Sequence, residues 1–174
     1  MIQWSKLLQP NLVLGDSILG LTPELIRQHQ LRGLILDVDE TLVPFHHSHP
    51  MAEVEQWART VSDLATLVLV SNNLNHGRIR RIAEVLDVPY FTGAGKPSRR
   101  KLRKAAMAMN LPVHQVAMVG DRLFTDVLAG NRLGMFTILV DPMADPRQRN
   151  PKQCVRNFEI WVSHRLGVTL QAMT

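Results

Sequence analysis

Two aspartates two positions apart, Asp37 and Asp39, end the apolar run Leu34-Ile35-Leu36 and are followed by Glu40-Thr41-Leu42. In an extended chain, residues i and i+2 point to the same side, so both carboxylates face one space. Carboxylates that close repel. They coexist when a cation sits between them or when one keeps a proton. The first arrangement makes a hard-cation site, the second a nucleophile beside an acid; a strand ending in a solvated acidic turn is the reading without chemistry. Three more polar groups follow apolar runs in the same manner. Ser71-Asn72-Asn73 closes Thr66-Leu67-Val68-Leu69-Val70, and Lys96 lies in the loop after Pro89-Tyr90-Phe91. Gly120-Asp121 closes the run Gln115 to Val119, with Asp126 shortly after it. Taken singly, each has an ordinary reading: Ser71 caps a turn, Lys96 is solvated, and Asp121 and Asp126 are helix-start acids favoured by the dipole.

These residues gain force from the elements that must hold them. Apolar runs at 33–38, 66–70, 89–91, 115–119 and 136–140 read as five strands. Between them lie segments of helical period. Thr22-Pro23 starts a helix to about Gln30, with Thr as cap and Pro at the first position. A helix over 51–64 places Val54, Trp57, Ala58 and Val61 on one face. The next, 77–86, turns Ile79, Ile82, Ala83 and Leu86 inward and Arg78, Arg80 and Arg81 mostly outward. Ser98 caps a basic amphipathic helix over 98–109, bearing Arg99, Arg100, Lys101, Arg103 and Lys104. Another helix spans 124–133. A tail helix over 155–166 aligns Val155, Phe158, Val162 and Leu166, with Phe158 and Trp161 read as core rather than as a membrane-facing edge. Strands alternating with helices give an α/β fold, three-layer and doubly wound around a mainly parallel five-stranded sheet. Ligands of such sheets bind beyond the carboxyl ends of the strands, where all the polar groups above fall.

The 174 residues suffice for one domain with a real core and not for two ordinary ones. We expect a single domain over 1–174, with a core of about 31–142 and the segments 1–30 and 154–167 packed on it. A single cysteine, Cys154, excludes a disulfide framework and suits a reducing compartment. The first 20 residues lack a signal-peptide pattern and no stretch is long enough to span a bilayer, so a cytoplasmic location is expected. The net charge of +5 and pI near 10.0 favour anionic partners: phosphorylated substrates, nucleic acid or an acidic lipid surface. No interleaving of basic and aromatic residues suggests a nucleic-acid platform, and none is expected as partner. Gly93-Ala94-Gly95-Lys96 lacks the spacing of a P-loop. His46, His47 and His49, flanked by Pro44 and Pro50, could form a metal cluster but fit a solvated flap loop better.

In combination the motifs resemble the haloacid dehalogenase (HAD) superfamily of phosphatases and phosphotransferases. The pattern reads Asp37-Val38-Asp39-Glu40-Thr41, Ser71, Lys96, and Gly120-Asp121-Arg122-Leu123-Phe124-Thr125-Asp126, in order, from Gly33 to Val140. The resemblance implies a HAD-like Rossmannoid fold and a phosphomonoester hydrolase. Mg2+ would be held by Asp37, the Asp39 backbone carbonyl and Asp121. Asp37 would attack phosphorus and form an aspartyl-phosphate, while Asp39 would serve as acid and then base. Ser71, Asn72 and Thr41 would bind the phosphoryl group, Lys96 would offset its charge, and Asp126 would hold metal waters or Lys96 from behind. Cap domains of this superfamily are inserted after the first or second motif; with 34 positions from Asp37 to Ser71 and 25 from Ser71 to Lys96, neither gap holds a sizeable one. An open site suits large substrates or an oligomer.

Within the superfamily the chain most resembles the subfamily IIIA phosphatases of the YqeG type, related to phosphatidylglycerophosphate phosphatases. The likeness rests on Leu8-Gln9-Pro10, Leu31 to Val43, Val70-Ser71-Asn72-Asn73, Gly95-Lys96-Pro97 and Val119 to Arg132. Glu40 departs from it, since Asn is more frequent there. This implies dephosphorylation of phosphatidylglycerophosphate, an anionic lipid partner and peripheral contact with a membrane, for which the basic helix 98–109 would be suited. A soluble sugar phosphate or nucleotide as substrate, or a non-catalytic HAD scaffold, are the alternatives.

Overall fold

A computed structural model describes residues 4–44, 47–143 and 153–172 of the chain. His46 and the polar stretch 144–152 lie outside the described residues.

Six parallel strands form one sheet in the order β1-β6-β5-β2-β3-β4. They are β1 (Leu12–Val13), β2 (Gly33–Leu36), β3 (Thr66–Val70), β4 (Tyr90–Phe91), β5 (Val116–Gly120) and β6 (Phe136–Leu139). Strands β2 and β5 are buried throughout, which is why they read as unbroken apolar runs rather than alternating ones. The sheet gains one strand over the five expected. β1 has two residues, too short to show a period, and side chains seat it on β6: Asn11 accepts from the Thr137 N–H and hydroxyl at 2.8 and 3.0 Å.

Helices cover both faces. On one lie α2 (Pro23–Gln28), α3 (Ala52–Ser62) and α4 (His76–Leu86). Thr22 caps α2, accepting from the Leu25 N–H, and Pro23 opens it. Val54, Trp57, Ala58 and Val61 of α3 are buried as their spacing requires. The Trp57 indole donates to the Leu21 carbonyl at 2.8 Å, satisfying its one polar atom. On the other face lie α5 (Arg100–Ala108) and the short α6 (Leu128–Asn131), packed through Leu102, Ala105, Ala106 and Ala129. Ser98 does not cap α5 as expected. Arg99 holds the cap position without a side-chain bond, and the Ser98 hydroxyl reaches only the Arg100 N–H at 3.5 Å.

The termini close one side. Helix α1 (Trp4–Leu8) packs through Leu8 on Leu128 and Val168. Gln9 exchanges two hydrogen bonds with the Thr169 backbone, 2.8 and 2.9 Å, which ties the N-terminal segment to the tail. Helix α7 (Gln153–Arg165) docks on a different stripe from the one expected. Glu159, Ile160 and Ser163 face the molecule, whereas Val155, Phe158, Trp161 and Leu166 are exposed, so the reading of Phe158 and Trp161 as core is corrected. An ion pair of Glu159 with Arg122 determines the stripe, a term that counting apolar residues cannot register.

Strand β2 sits between β3, reached by one crossover, and β5, reached later from the far edge. The strand order reverses there, and a crevice opens at the carboxyl ends of β2 and β5. Between Asp37 and Ser71 the described residues hold one helix, α3.

Candidate functional site

Asp37 directly follows β2. Its N–H still bonds the Val119 carbonyl at 2.9 Å, so the carboxylate is carried by the sheet rather than by a loop. The chain then turns tightly: Leu42 and Val43 donate to the Val38 carbonyl and Glu40 donates to Val43. Glu40 stands in this turn at φ +66°. That left-handed conformation favours Asn over Glu, which gives the departure at this position a backbone cost rather than a chemical one. Asp121 follows Gly120, the last residue of β5 and the neighbour of β2.

Lys96 arrives from across the sheet. Its loop follows the edge strand β4 and is drawn back by Asn72, which accepts from the Lys96 N–H at 2.7 Å and donates to the Lys96 carbonyl at 3.2 Å. The side chain ends buried, with Nζ 2.6 Å from Asp37 Oδ1 and 2.6 Å from Asp126 Oδ1. Asp126 is brought there by a π-helical turn, Leu123–Val127, in which the Val127 N–H reaches five residues back to Arg122. Such widened turns recur at functional sites. Gly120 lets this turn lie against β5: a Cβ there would meet the Asp126 side chain at 2.5 Å.

Burial pushes the Asp37 carboxyl up to about 6, with Lys96 pulling down and Asp126 pushing up. Asp121 is raised well above the ordinary carboxylate range, by burial first and then by Asp126 and Asp37. Lys96 remains protonated: its two carboxylate partners raise it in spite of burial. Asp39 accepts from Arg78 at 2.5 Å through one oxygen and from the Asn73 amide at 3.1 Å through the other. Arg78 also donates to the Pro44 and His47 carbonyls, fastening the loop after the turn to the site. Four carboxylates, Asp37, Asp39, Asp121 and Asp126, thus face two cations of their own, Lys96 and Arg78, because Arg122 beside them is paired with Glu159.

The excess of negative charge fits a cation. Ligand oxygens of Asp37, Asp121 and Asp126 lie within 4.8 Å of one another, and Asp121 Oδ1 is buried without a hydrogen-bond partner among the described residues. An oxygen left unpaired in that position is costly unless a cation meets it. Oxygen-only donors suit Mg2+. His47 and His49 are exposed and outside this group.

A cavity of about 40 Å3 is lined by Asp37, Asp39, Asn72, Lys96, Asp121, Arg122 and Thr125. Ser71 and Thr41, expected to bind phosphate, are fully buried and outside this lining. Ser71 Oγ accepts the Asn73 N–H at 3.0 Å, as a turn cap does, and the Thr41 hydroxyl has no partner among the described residues. Sequence reasoning missed Arg78, Arg122 and Thr125. Arg78 lies in the first turn of α4, where the dipole disfavours a cation, and that misplacement is the signal that could have flagged it.

Comparison with known proteins identifies the family and the fold. The HAD-hydrolase-like family model matches residues 93–150. The "probable phosphatase YqeG" of Bacillus subtilis (strain 168) is 33% identical over 128 residues, 74% of each chain. Among solved structures, the magnesium-bound YfnB of Bacillus subtilis, described as a HAD-hydrolase, superposes with a TM-score of 0.51 at 12% identity, covering 70% of this chain and 91% of that one. A subfamily III A HAD hydrolase of Legionella pneumophila gives 0.50 at 19% identity, covering 71% and 72%. These two carry the fold, and the Bacillus relative carries the family: the chain belongs to the HAD-type phosphatases, in the family that includes YqeG.

Proposed function

We propose that the protein is a Mg2+-dependent phosphomonoesterase that works through an aspartyl-phosphate on Asp37 and removes the terminal phosphate of phosphatidylglycerophosphate. The observation that carries the chemistry is the buried set of Asp37, Lys96, Asp121 and Asp126, in which an ionised carboxylate can be exposed to phosphorus beside a fixed ammonium. Mg2+ held by the Asp37 and Asp121 carboxylates and the Asp39 backbone carbonyl would neutralise charge on the phosphate. A carboxylate oxygen of Asp37 attacks phosphorus as the ester P–O bond breaks, and Asp39 gives a proton to the leaving oxygen. Asp39 then takes a proton from water, the water oxygen bonds phosphorus, and the bond to Asp37 breaks. Lys96 offsets the charge of the transferring group, and Asp126 keeps Lys96 in place. Asn72 acts through its clamp on the Lys96 backbone.

The size of the cavity supports the substrate class. About 40 Å3 accepts a phosphoryl group and little else, far below the several hundred Å3 of a site that encloses a metabolite. The rest of the substrate must lie outside, as a lipid anchored in a membrane does. Phosphate release from phosphatidylglycerophosphate in mixed micelles, from sugar phosphates and from nucleotides, with and without Mg2+, tests the reading. The expected outcome is Mg2+-dependent turnover with kcat/KM highest for the lipid. A higher value for a soluble metabolite overturns the lipid assignment, and activity unchanged by chelation overturns the metal.

A further inference from the structure

Helix α7 meets the body of the molecule along a narrow stripe. Glu159 pairs with Arg122 at the lip of the cavity, and Ile160 packs with Leu123, Val127 and Leu139. At 100° per residue the opposite direction belongs to Cys154, Phe158, Trp161 and Arg165, spaced i, i+4, i+7, i+11. All four are exposed. Phe158 is 62% and Trp161 56% accessible, their rings stack at 6.2 Å between centroids, and the Arg165 guanidinium lies 5.2 Å from the Trp161 ring centre. Two large aromatic rings, with a guanidinium over one of them, make up the outer face of a helix attached at the mouth of the site.

A second copy of the chain is poorly matched to this face. Phe and Trp side chains offer roughly 150–250 Å2 each, so at these exposures the pair presents about 250 Å2, against about 800 Å2 per partner in a stable dimer. A lipid interface has no such requirement. Aromatic bodies enter the boundary between headgroups and acyl chains, and an arginine stays with the phosphates. Charge selects the kind of lipid: Lys and Arg total 20 against 15 acids. Helix α5, on the sheet face that also carries α6, adds Arg99, Arg100, Arg103 and Lys104, grouped with Arg132 around an open cleft of about 490 Å3.

We propose that the outer stripe of α7 docks the enzyme on an anionic phospholipid bilayer, with the Glu159–Arg122 pair fixing the mouth of the site beside the docked helix. The inference rests on the lipid reading above: if the phosphoryl group belongs to a membrane lipid, a cavity of about 40 Å3 leaves the rest of that lipid in the bilayer, and the enzyme must come to it.

Co-sedimentation of the full chain with vesicles tests it. The vesicles are phosphatidylcholine alone, or phosphatidylcholine mixed with phosphatidylserine, at low and high salt. The wild type sediments with the anionic vesicles, less at high salt. Phe158→Ala/Trp161→Ala lowers that partitioning by about tenfold or more while hydrolysing a soluble chromogenic ester at the wild-type rate. These vesicles contain no phosphomonoester, so a failure to hydrolyse phosphatidylglycerophosphate leaves the docking result standing, and the reverse. Equal sedimentation of the two proteins, equal binding to neutral vesicles, or no binding overturns the proposal. So does a dimer in light scattering that the double variant abolishes without any vesicle binding.

Discussion

Replacing Gly120 by alanine should disable the site without altering a charged group. The added Cβ would stand 2.5 Å from the Asp126 Cγ and Oδ2 and 2.7 Å from its Cβ. Carbon atoms in contact sit at about 3.5–4.0 Å, so the two groups must part by roughly 1 Å. Asp126 is 1% exposed and held in the π-helical turn, which leaves it no free direction. Its bond to Lys96, now 2.6 Å, would open to about 3.6 Å, beyond hydrogen-bond range. Overpacking of this kind costs about 1–3 kcal/mol, or a melting temperature lower by about 2–12 °C at this chain length. Misplacing a reacting group by about 1 Å costs about 10²-fold in rate. Hydrolysis of a chromogenic phosphate ester with Mg2+, alongside circular dichroism melts, measures both effects. A folded Gly120→Ala protein with wild-type kcat/KM and an unshifted melt would refute the claim that the close approach of β5 places Asp126.

Arg78→Ala should lower kcat by about 10–10²-fold with little change in KM for a small ester, because Asp39 and the loop at Pro44 lose their shared donor; an unchanged kcat would make Arg78 a surface residue after all. The raised carboxyls give a pH signature. With Asp37 up to about 6 and Asp121 also raised by burial, their ionisation costs stability as pH climbs from the unfolded value near 4 through the folded value of about 6 for Asp37, and a cation that binds the ionised forms recovers the loss. Mg2+ should therefore raise the melting temperature clearly at about pH 7.5 and hardly at about pH 5, and equal shifts at both would contradict the assignment. Trp57→Phe leaves the Leu21 carbonyl unpaired in the core, so it should cost about 1–3 kcal/mol in a denaturant melt with activity per folded molecule unchanged.

What the sequence disclosed and what it hid follow from how each position is determined. Asp37 and Asp121 end apolar strands, and a buried parallel sheet writes such strands as continuous runs, so their ends are easy to find. Lys96 was legible from motif order alone, since the Asn72 clamp that brings it home is a tertiary contact. Arg78 was read as outward from the helical period of α4, which describes the middle of a helix and not a first turn lying over a sheet edge. Ser71 matched its motif, yet its side chain caps the turn after β3. The tail helix failed for the opposite reason. Its apolar residues suggested one face and its buried Glu159 selected another, because a charge paired with Arg122 outweighed the pattern.

The central claim is that Asp37 accepts the phosphoryl group. Acid quenching of the enzyme during turnover of a chromogenic phosphate ester with Mg2+, followed by mass spectrometry of the peptide containing Asp37, tests it most directly. The account predicts a phosphorylated peptide that hydroxylamine removes and that Asp37→Asn neither forms nor replaces, with turnover abolished and the fold retained. An Asp37→Asn protein that keeps most of its activity, or phosphate found on another residue, would contradict it.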